Sequence, residues 1–533
     1  MVGQSVIFRL LMILAPLLLL ESPPADCANI LGLFSTISPS HLIVHMSVMR
    51  TLADRGHNVT IVSALKPKLV PHENITVIMA PFSEELNARI ALHLENSSKE
   101  KSNIFYSIMK TMNTLLDSQL EFLKHPNVAA IYEKPQVKYD LLVLGYVMND
   151  FQLGVAAKWD IPIVVSWIMG PFGFIDDQVG NIYDPSYVPS LPMSNNKDAR
   201  VLDFGLRLRN FGIWICMKAI TSAIDTQMNK YYKLAFGQED SDFPTYHEMR
   251  RRISLLFYNY HSLSEGPVRP TVPQSIEIGG IQIKDQPDPL PNELAEFLGN
   301  ATNGAIFFSL GTNVKATFFQ PHIMEAIFNV LARQPLSVIW KWDDLEHKPG
   351  QAANIYFNSW LPQDDLLAHP NIKLFITHAG KGGVAEAQYH GVPMLALPIF
   401  GDQPANAEVM VASGFGISLD MLTLTEERLE QGINEVLSNS TYVKNVRKFS
   451  VLYRDRPLTP RQSVIYWTEY VLRHKGAYHM QSPSLHMHFV ARNNLDVCAF
   501  VLFIIASSLV VFVFLLRLVY KRFTRSRDKV KKC

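Results

Sequence analysis

The chain has 533 residues, 49 lysines and arginines against 48 acids for a formal charge of +1, and four cysteines. That length predicts about three domains, the even charge balance argues against nucleic acid as a partner, and four scattered cysteines supply no disulfide framework. Neither a CxxC nor an HExxH pattern occurs, so no metal site is expected.

Residues 1–27 read as a cleaved secretory signal, with Arg9 ahead of an apolar run from Leu10 to Leu20 and small residues from Ala25 to Ala28. A first domain is expected over 28–266. Asn29–Ser35 is an apolar strand, and a loop over Thr36–Ser40 leads into a helix that sets Leu42, Met46, Met49 and Leu52 on one face. Gly56 closes that helix, and Asn58–Ala64 is the next strand, so the chain opens as a βαβ unit with a parallel sheet. No G-x-G-x-x-G accompanies this unit, which argues against a nucleotide in this half. His41 falls in the first helical turn, at the carboxyl edge of the sheet where functional groups gather. An imidazole of ordinary pKa, about 6.5, accepts a hydroxyl proton at neutral pH.

The pattern from Ser83 to Lys124 is helical and irregular, and Tyr139–Val147 is a strand followed by Asp150. Pro171–Pro192 is rich in proline, glycine and aromatic residues, so Trp167, Phe172, Phe174, Tyr183 and Tyr187 are candidates to line an apolar pocket. Cys216 is expected as a buried apolar filler. Ile253–Asn259 is expected as the last strand of the first domain, with a proline-spaced linker over 267–291.

A second domain is expected over 292–475. Ala305–Leu310 is a strand that gives way to Gly311, Thr312 and Asn313, so the Ser309 hydroxyl and the N–H groups after it can reach an anion. A helix over Gln320–Arg333 and a strand over Val338–Trp342 follow. The densest stretch is Phe357–Gln403. Within it Lys373–Thr377 is a strand that passes through His378 and a glycine turn at Gly380 into a helix over Val384–Tyr389, and such a helix N-terminus favours a phosphate or diphosphate. Glu386 on that helix suits a ribose diol, while Trp360 and Gln363 pair a flat aromatic face with an amide able to read a base edge. Pro393–Phe400 is read as a strand delivering Asp402 and Gln403 to sugar hydroxyls. Gly380–Ala385 also fits the G-x-G-x-x-A dinucleotide fingerprint, which keeps a nicotinamide-binding domain in view. Thr425–Leu437, Tyr442–Tyr453 and Pro460–Arg473 are helical.

A connector over 476–496 precedes Val497–Leu516, 20 residues without a charge. As a helix these reach about 30 Å, enough to cross a bilayer. Arg517, Lys521, Arg522, Arg525, Arg527, Lys529, Lys531 and Lys532 then crowd the tail over 517–533, which places it on the cytosolic side and the body in the lumen. Such a tail also touches membrane lipid. Sequons stand at Asn58, Asn74, Asn96, Asn300 and Asn439.

W-x-x-Q at Trp360, T-H-x-G at Thr377, E-A-x-x-x-G-V-P at Glu386 and D-Q at Asp402, in this order, resemble the signature of the UDP-glycosyltransferases, most of all the membrane-bound insect members. The resemblance implies an α/β fold of glycosyltransferase B architecture, two Rossmann-like domains facing a cleft. It implies a UDP-sugar as co-substrate rather than a cofactor, and a small lipophilic acceptor. His41 would be the general base. Donor binding would fall to Ser309, Gly311, Thr312, Trp360, Gln363, His378, Gly380, Glu386, Asp402 and Gln403. In the family a carboxylate at the end of the strand matching Tyr139–Val147 supports the histidine. Gly145 stands there in this chain, so Asp150 is the substitute candidate, and a weakened or purely binding homologue is the alternative. Lys529 and Lys531 resemble a dilysine retrieval signal, implying the endoplasmic reticulum membrane. Homo-oligomerisation stays open.

Overall fold

A computed structural model describes residues 27–99, 104–190, 202–237, 242–262, 269–312, 318 and 321–530. The expected leader before Cys27, the start of the expected linker, Asn313 and the last three residues of the tail lie outside the described residues. The chain divides into a unit over Met1–Met480 and a second over Gln481–Cys533.

The first unit carries two parallel sheets. In the first, β1 (Asn29–Phe34) leads through α1 (Pro39–Asp54) to β2 (Asn58–Ser63) and β3 (Ile75–Met79), followed by β4 (Leu141–Gly145), β5 (Ile163–Trp167), β6 (Ile253–Tyr258) and β7 (Ser275–Glu277). The spatial order is β3-β2-β1-β4-β5-β6-β7. Helices cover both faces, so the central strands are apolar along their whole length: every residue of β4, β5 and β6 is buried. β7 pairs with β6 from Leu256↔Ser275 to Tyr258↔Glu277. Ile253–Tyr258 is therefore not the last strand, and the stretch read as a linker contributes an edge strand. Between β5 and β6 the long helix α2 (Phe204–Phe236) buries Met217, Ile224, Met228 and Tyr232. Cys216 on α2 is exposed, contrary to expectation, because it precedes Met217 and faces away from that buried stripe.

The second sheet runs β10-β9-β8-β11-β12-β13, built from β8 (Ala305–Ser309), β9 (Ser337–Lys341), β10 (Ile355–Asn358), β11 (Ile372–Thr377), β12 (Met394–Ala396) and β13 (Gly416–Ser418). α3 (Lys381–His390) follows β11 and α4 (Gln403–Ala412) follows β12. The expected strand over 393–400 shrinks to three residues, since Pro398 has no N–H to continue the ladder.

After a helix over Ser440–Arg454, the chain returns to the first sheet as α5 (Pro460–Arg473), opened by a Thr459/Gln462 capping box. Val464 and Val471 are buried in the first sheet's core, and Glu469 accepts from Arg55 Nε at 2.7 Å. The two crossings between halves lie side by side: a Cβ on Gly280 would meet the Tyr453 hydroxyl at 3.2 Å, and His261 stacks on Tyr453 at 4.4 Å.

In the second unit α6 (Leu495–Val530) contains, over Leu495–Arg522, a helix long and apolar enough to cross a membrane.

Candidate donor and acceptor site

The carboxyl ends of β8 and β11 are adjacent, with Ser309 in register with Thr377, and both strands run directly into glycine turns. Gly311 has φ +82, and a Cβ there would lie 2.5 Å from His378 Cε1. On the other side a Cβ at Gly380 would lie 2.3 Å from His378 Nε2. The imidazole is thus packed between two residues that must lack side chains. Burial and the nearby Lys341 ammonium push His378 down to about 4, so it is neutral at pH 7. Its Nδ1 and the Thr312 hydroxyl are buried with no hydrogen-bond partner among the described residues. The ring also bonds to the Ser309 backbone, which leaves Nδ1 as an unpartnered polar atom, and buried polar atoms of this kind cost about 1–3 kcal/mol each. They mark a place shaped for something polar.

α3 begins at the same point. Gly380 is its N-cap and makes no side-chain capping bond, while the Asp402 carboxylate takes a backbone bond from Lys381 in the first turn. Ala379 just before it has φ +60, a conformation uncommon for a residue with a Cβ. It is fixed by a bond from its N–H to the Thr377 hydroxyl at 3.2 Å and by Asn406 Nδ2 donating to its carbonyl at 3.0 Å.

Two lysines that the sequence did not single out as site residues complete this corner. Lys341, at the end of β9, donates to the Gly311 carbonyl at 2.5 Å. Lys381, first residue of α3, is lowered by burial to about 7 despite the opposing pull of Asp402. The signal available in sequence was position alone: each is a lysine at the carboxyl edge of a buried strand. The opposing carboxylate, Asp402, accepts from Asn406 Nδ2 at 2.7 Å, and burial raises its pKa. Gln403 spends its amide oxygen on the Ile399 and Phe400 N–H groups, at 2.8 and 3.1 Å, which leaves its amide nitrogen to meet a ligand.

Gln363 and Glu386 were expected to act separately on base and ribose. They are instead joined, Gln363 Nε2 donating to Glu386 Oε2 at 2.6 Å, because α3 and the short helix Gln363–Leu367 pack together. Burial, with Asp364 close by, raises Glu386 to about 8, so it is protonated at neutral pH. Trp360 is 39% exposed and presents an indole face, over which the Lys68 ammonium from the first half lies 3.3 Å from the ring centroid.

In the first half His41 sits in the first turn of α1, half-buried, with Nδ1 enclosed and unpartnered among the described residues. Burial lowers it to about 4. Asp150 does not support it. Its carboxylate accepts from Gln178 Nε2 at 2.9 Å and from the Tyr146 and Tyr246 hydroxyls at 3.5 Å, inside a buried network centred on Arg250. Burial raises Asp150 to about 7. Its place at the start of a 3-10 helix turns it into the core rather than toward α1. Of the aromatic residues expected to wall an acceptor, Trp167 and Phe174 pack on Tyr146 in the core, and Tyr183 is also buried. Tyr187 is exposed. Of the five, Tyr183 does line a cavity, one of about 680 Å³ that it shares with Pro185, Arg207, Phe211, Trp214 and Pro270.

A family model described as UDP-glucoronosyl and UDP-glucosyl transferase matches residues 32–530. The chain is 33% identical over 491 residues to UDP-glycosyltransferase UGT5 of Dactylopius coccus, covering 91% of this chain and 90% of that protein. It is 29% identical over 496 residues to UDP-glucuronosyltransferase 2B15 of Homo sapiens, covering 88% and 89%. Among solved structures, spinosyn forosaminyltransferase SpnP superposes with a TM-score of 0.52 at 16% identity, over 84% of this chain and 100% of that one, a likeness of fold. With two Rossmann-type sheets in the glycosyltransferase B arrangement and a family match across nearly its whole length, the chain belongs to the UDP-glucoronosyl and UDP-glucosyl transferases and is a glycosyltransferase.

Proposed function

We propose that the protein transfers a hexose, glucose first, from a UDP-sugar to a hydroxyl of small lipophilic acceptors, with inversion at the anomeric carbon. The observation that carries the donor half is the neutral His378 ring between Gly311 and Gly380 at the N-terminus of α3. In this reading the diphosphate lies against the α3 N–H groups, His378, Ser309 and Thr312. Trp360 stacks on uracil, Gln363 and Glu386 hold base and ribose, and Asp402 and Gln403 hold the sugar. His41 takes the acceptor's proton as the acceptor oxygen bonds to the anomeric carbon. The bond from that carbon to the diphosphate oxygen breaks, and its electron pair leaves with UDP, met by fixed dipoles. Glucose is placed ahead of glucuronate because the insect relatives include a protein named UDP-glucosyltransferase 2. The apolar α6 and the basic residues after it support membrane anchorage with the body on the luminal side, beside a bilayer into which lipophilic acceptors for detoxification partition, and Lys529 and Lys531 favour the endoplasmic reticulum.

A second reading, a UDP-sugar binder without turnover, is favoured by one observation: among the described residues no carboxylate pairs with His41. A donor screen on detergent-solubilised protein separates the two. The transferase reading expects UDP-glucose turnover across a phenol panel, lost in His41→Ala, and UDP affinity lost in His378→Ala and Trp360→Ala. UDP binding unchanged in both donor-site variants would sink the assignment of the site.

A further inference from the structure

His45 lies one helical turn after His41 on α1, fully buried, with its ring stacked on Phe34 at 5.2 Å. Its Nδ1 is 3.0 Å from the Ser166 hydroxyl at the carboxyl end of β5. Ser166 is in register with Gly145 at the end of β4, and a Cβ on Gly145 would lie 3.0 Å from His45 Nε2 and 2.6 Å from Phe34. A side chain here would collide with Phe34 and crowd the imidazole. His45 Nε2 is buried without a partner, and so is His41 Nδ1. Two orphan nitrogens one turn apart on one helix complement each other, since one is able to donate and the other to accept.

We propose that His45 stands behind His41 where a carboxylate would otherwise stand: oriented by Ser166, its Nε2 accepts from His41 Nδ1–H when His41 takes up the acceptor's proton, a bond the resting arrangement does not make, and this uncharged support restricts the enzyme to acidic acceptors such as phenols rather than aliphatic alcohols. This rests on His41 being the base. The groups shown against His45 from other elements are Phe34 of β1, Gly145 of β4 and Ser166 of β5, none of them charged, and burial is the cause that lowers His41. The one titratable neighbour shown to act on His45 is His41 itself, and the interaction is repulsive when both are charged. An imidazolium formed at His41 therefore gains a hydrogen bond and no counter-charge. Proton transfer then depends on how readily the acceptor gives up its proton, which is a statement about acceptor acidity.

His45 is a positioning residue, and its role separates from mere packing in an acceptor series. Full-length detergent-solubilised protein is assayed with UDP-glucose and phenols of graded acidity, from a nitrophenol to a methoxyphenol, plus a primary alcohol. Wild type turns over the nitrophenol fastest and the alcohol least. His45→Phe keeps a ring against Phe34 and removes the acceptor nitrogen. It is expected to lower kcat for the methoxyphenol by about 10- to 100-fold, the worth of a hydrogen bond to a charged group. The loss is smaller for the nitrophenol, and KM changes little. His45→Gln, whose amide oxygen accepts, restores most of the loss. An equal loss for every acceptor, no loss at all, or wild-type turnover of the alcohol at phenol rates overturns the inference. So does wild type that binds UDP without any turnover. Wild type that fails to bind UDP overturns the donor-site reading instead.

Discussion

Lys68 and Trp360 give the most direct test of where the uracil goes. The Lys68 ammonium sits 3.3 Å from the indole centroid, and if uracil stacks on that face, as proposed, its binding displaces the ammonium. Lys68 is exposed and Trp360 is 39% exposed, which places this contact in the weak range for a cation on an aromatic face, about 0.5–1 kcal/mol. Removing the competitor returns that energy to the ligand, or about 2- to 5-fold in Kd. The perturbation is Lys68→Ala, and the assay is calorimetric titration with uridine, which has no phosphates and so isolates the base. UDP should gain less, because Lys341 is lowered first by burial and further by the Lys68 charge, so Lys68 adds to the positive field at the proposed diphosphate site. Uridine binding that is unchanged or weaker in Lys68→Ala would refute the stacking of uracil on this face.

Gly311→Ala forces a Cβ into φ +82 and against His378 Cε1. The backbone cost alone is about 1–2 kcal/mol. Thermal denaturation should show lower stability, and UDP titration a loss of roughly tenfold or more in affinity as the imidazole is displaced; unaltered UDP affinity would remove His378 from the diphosphate site. Lys381 supplies a pH signature. Its pKa in the free protein is about 7, and a bound diphosphate favours the charged form, so binding takes up a proton above that pH. UDP affinity should therefore fall as pH rises above about 7, by at most tenfold per unit for one proton, and the slope should vanish in Lys381→Leu. A flat profile in wild type would show that Lys381 does not face the diphosphate.

Much of the architecture was legible because both sheets are parallel and covered on two faces, which leaves uninterrupted apolar runs such as Leu141–Gly145 and Ala305–Ser309. The signature stretch was equally plain, since strand, glycine turn and helix follow one another without a gap. What sequence could not carry were contacts between distant segments. The Gln363 to Glu386 bond, the reach of Lys68 to Trp360 and the meeting of His45 with Ser166 span 23, 292 and 121 positions. Asp150 was chosen for its nearness along the chain to Gly145, but the direction of a 3-10 turn sends it to Gln178. β7 escaped notice because three residues in a proline-rich run carry no periodicity. Among the sequons, Asn58 was expected to be crowded at the start of a strand but is exposed, as is Asn300, whereas Asn439 caps the helix over Ser440–Arg454 through Thr441 N–H.

The paired crossings at Gly280 and Tyr453 have a mechanical consequence. A lobe joined to its neighbour by one strand of chain swings and twists freely, but two adjoining straps, with α5 bolted to the first sheet through Glu469 and Arg55, behave as the leaves of a door hinge. Such a pairing favours opening and shutting about one line over free twisting, and in the proposed reading that would hold sugar and acceptor to one alignment.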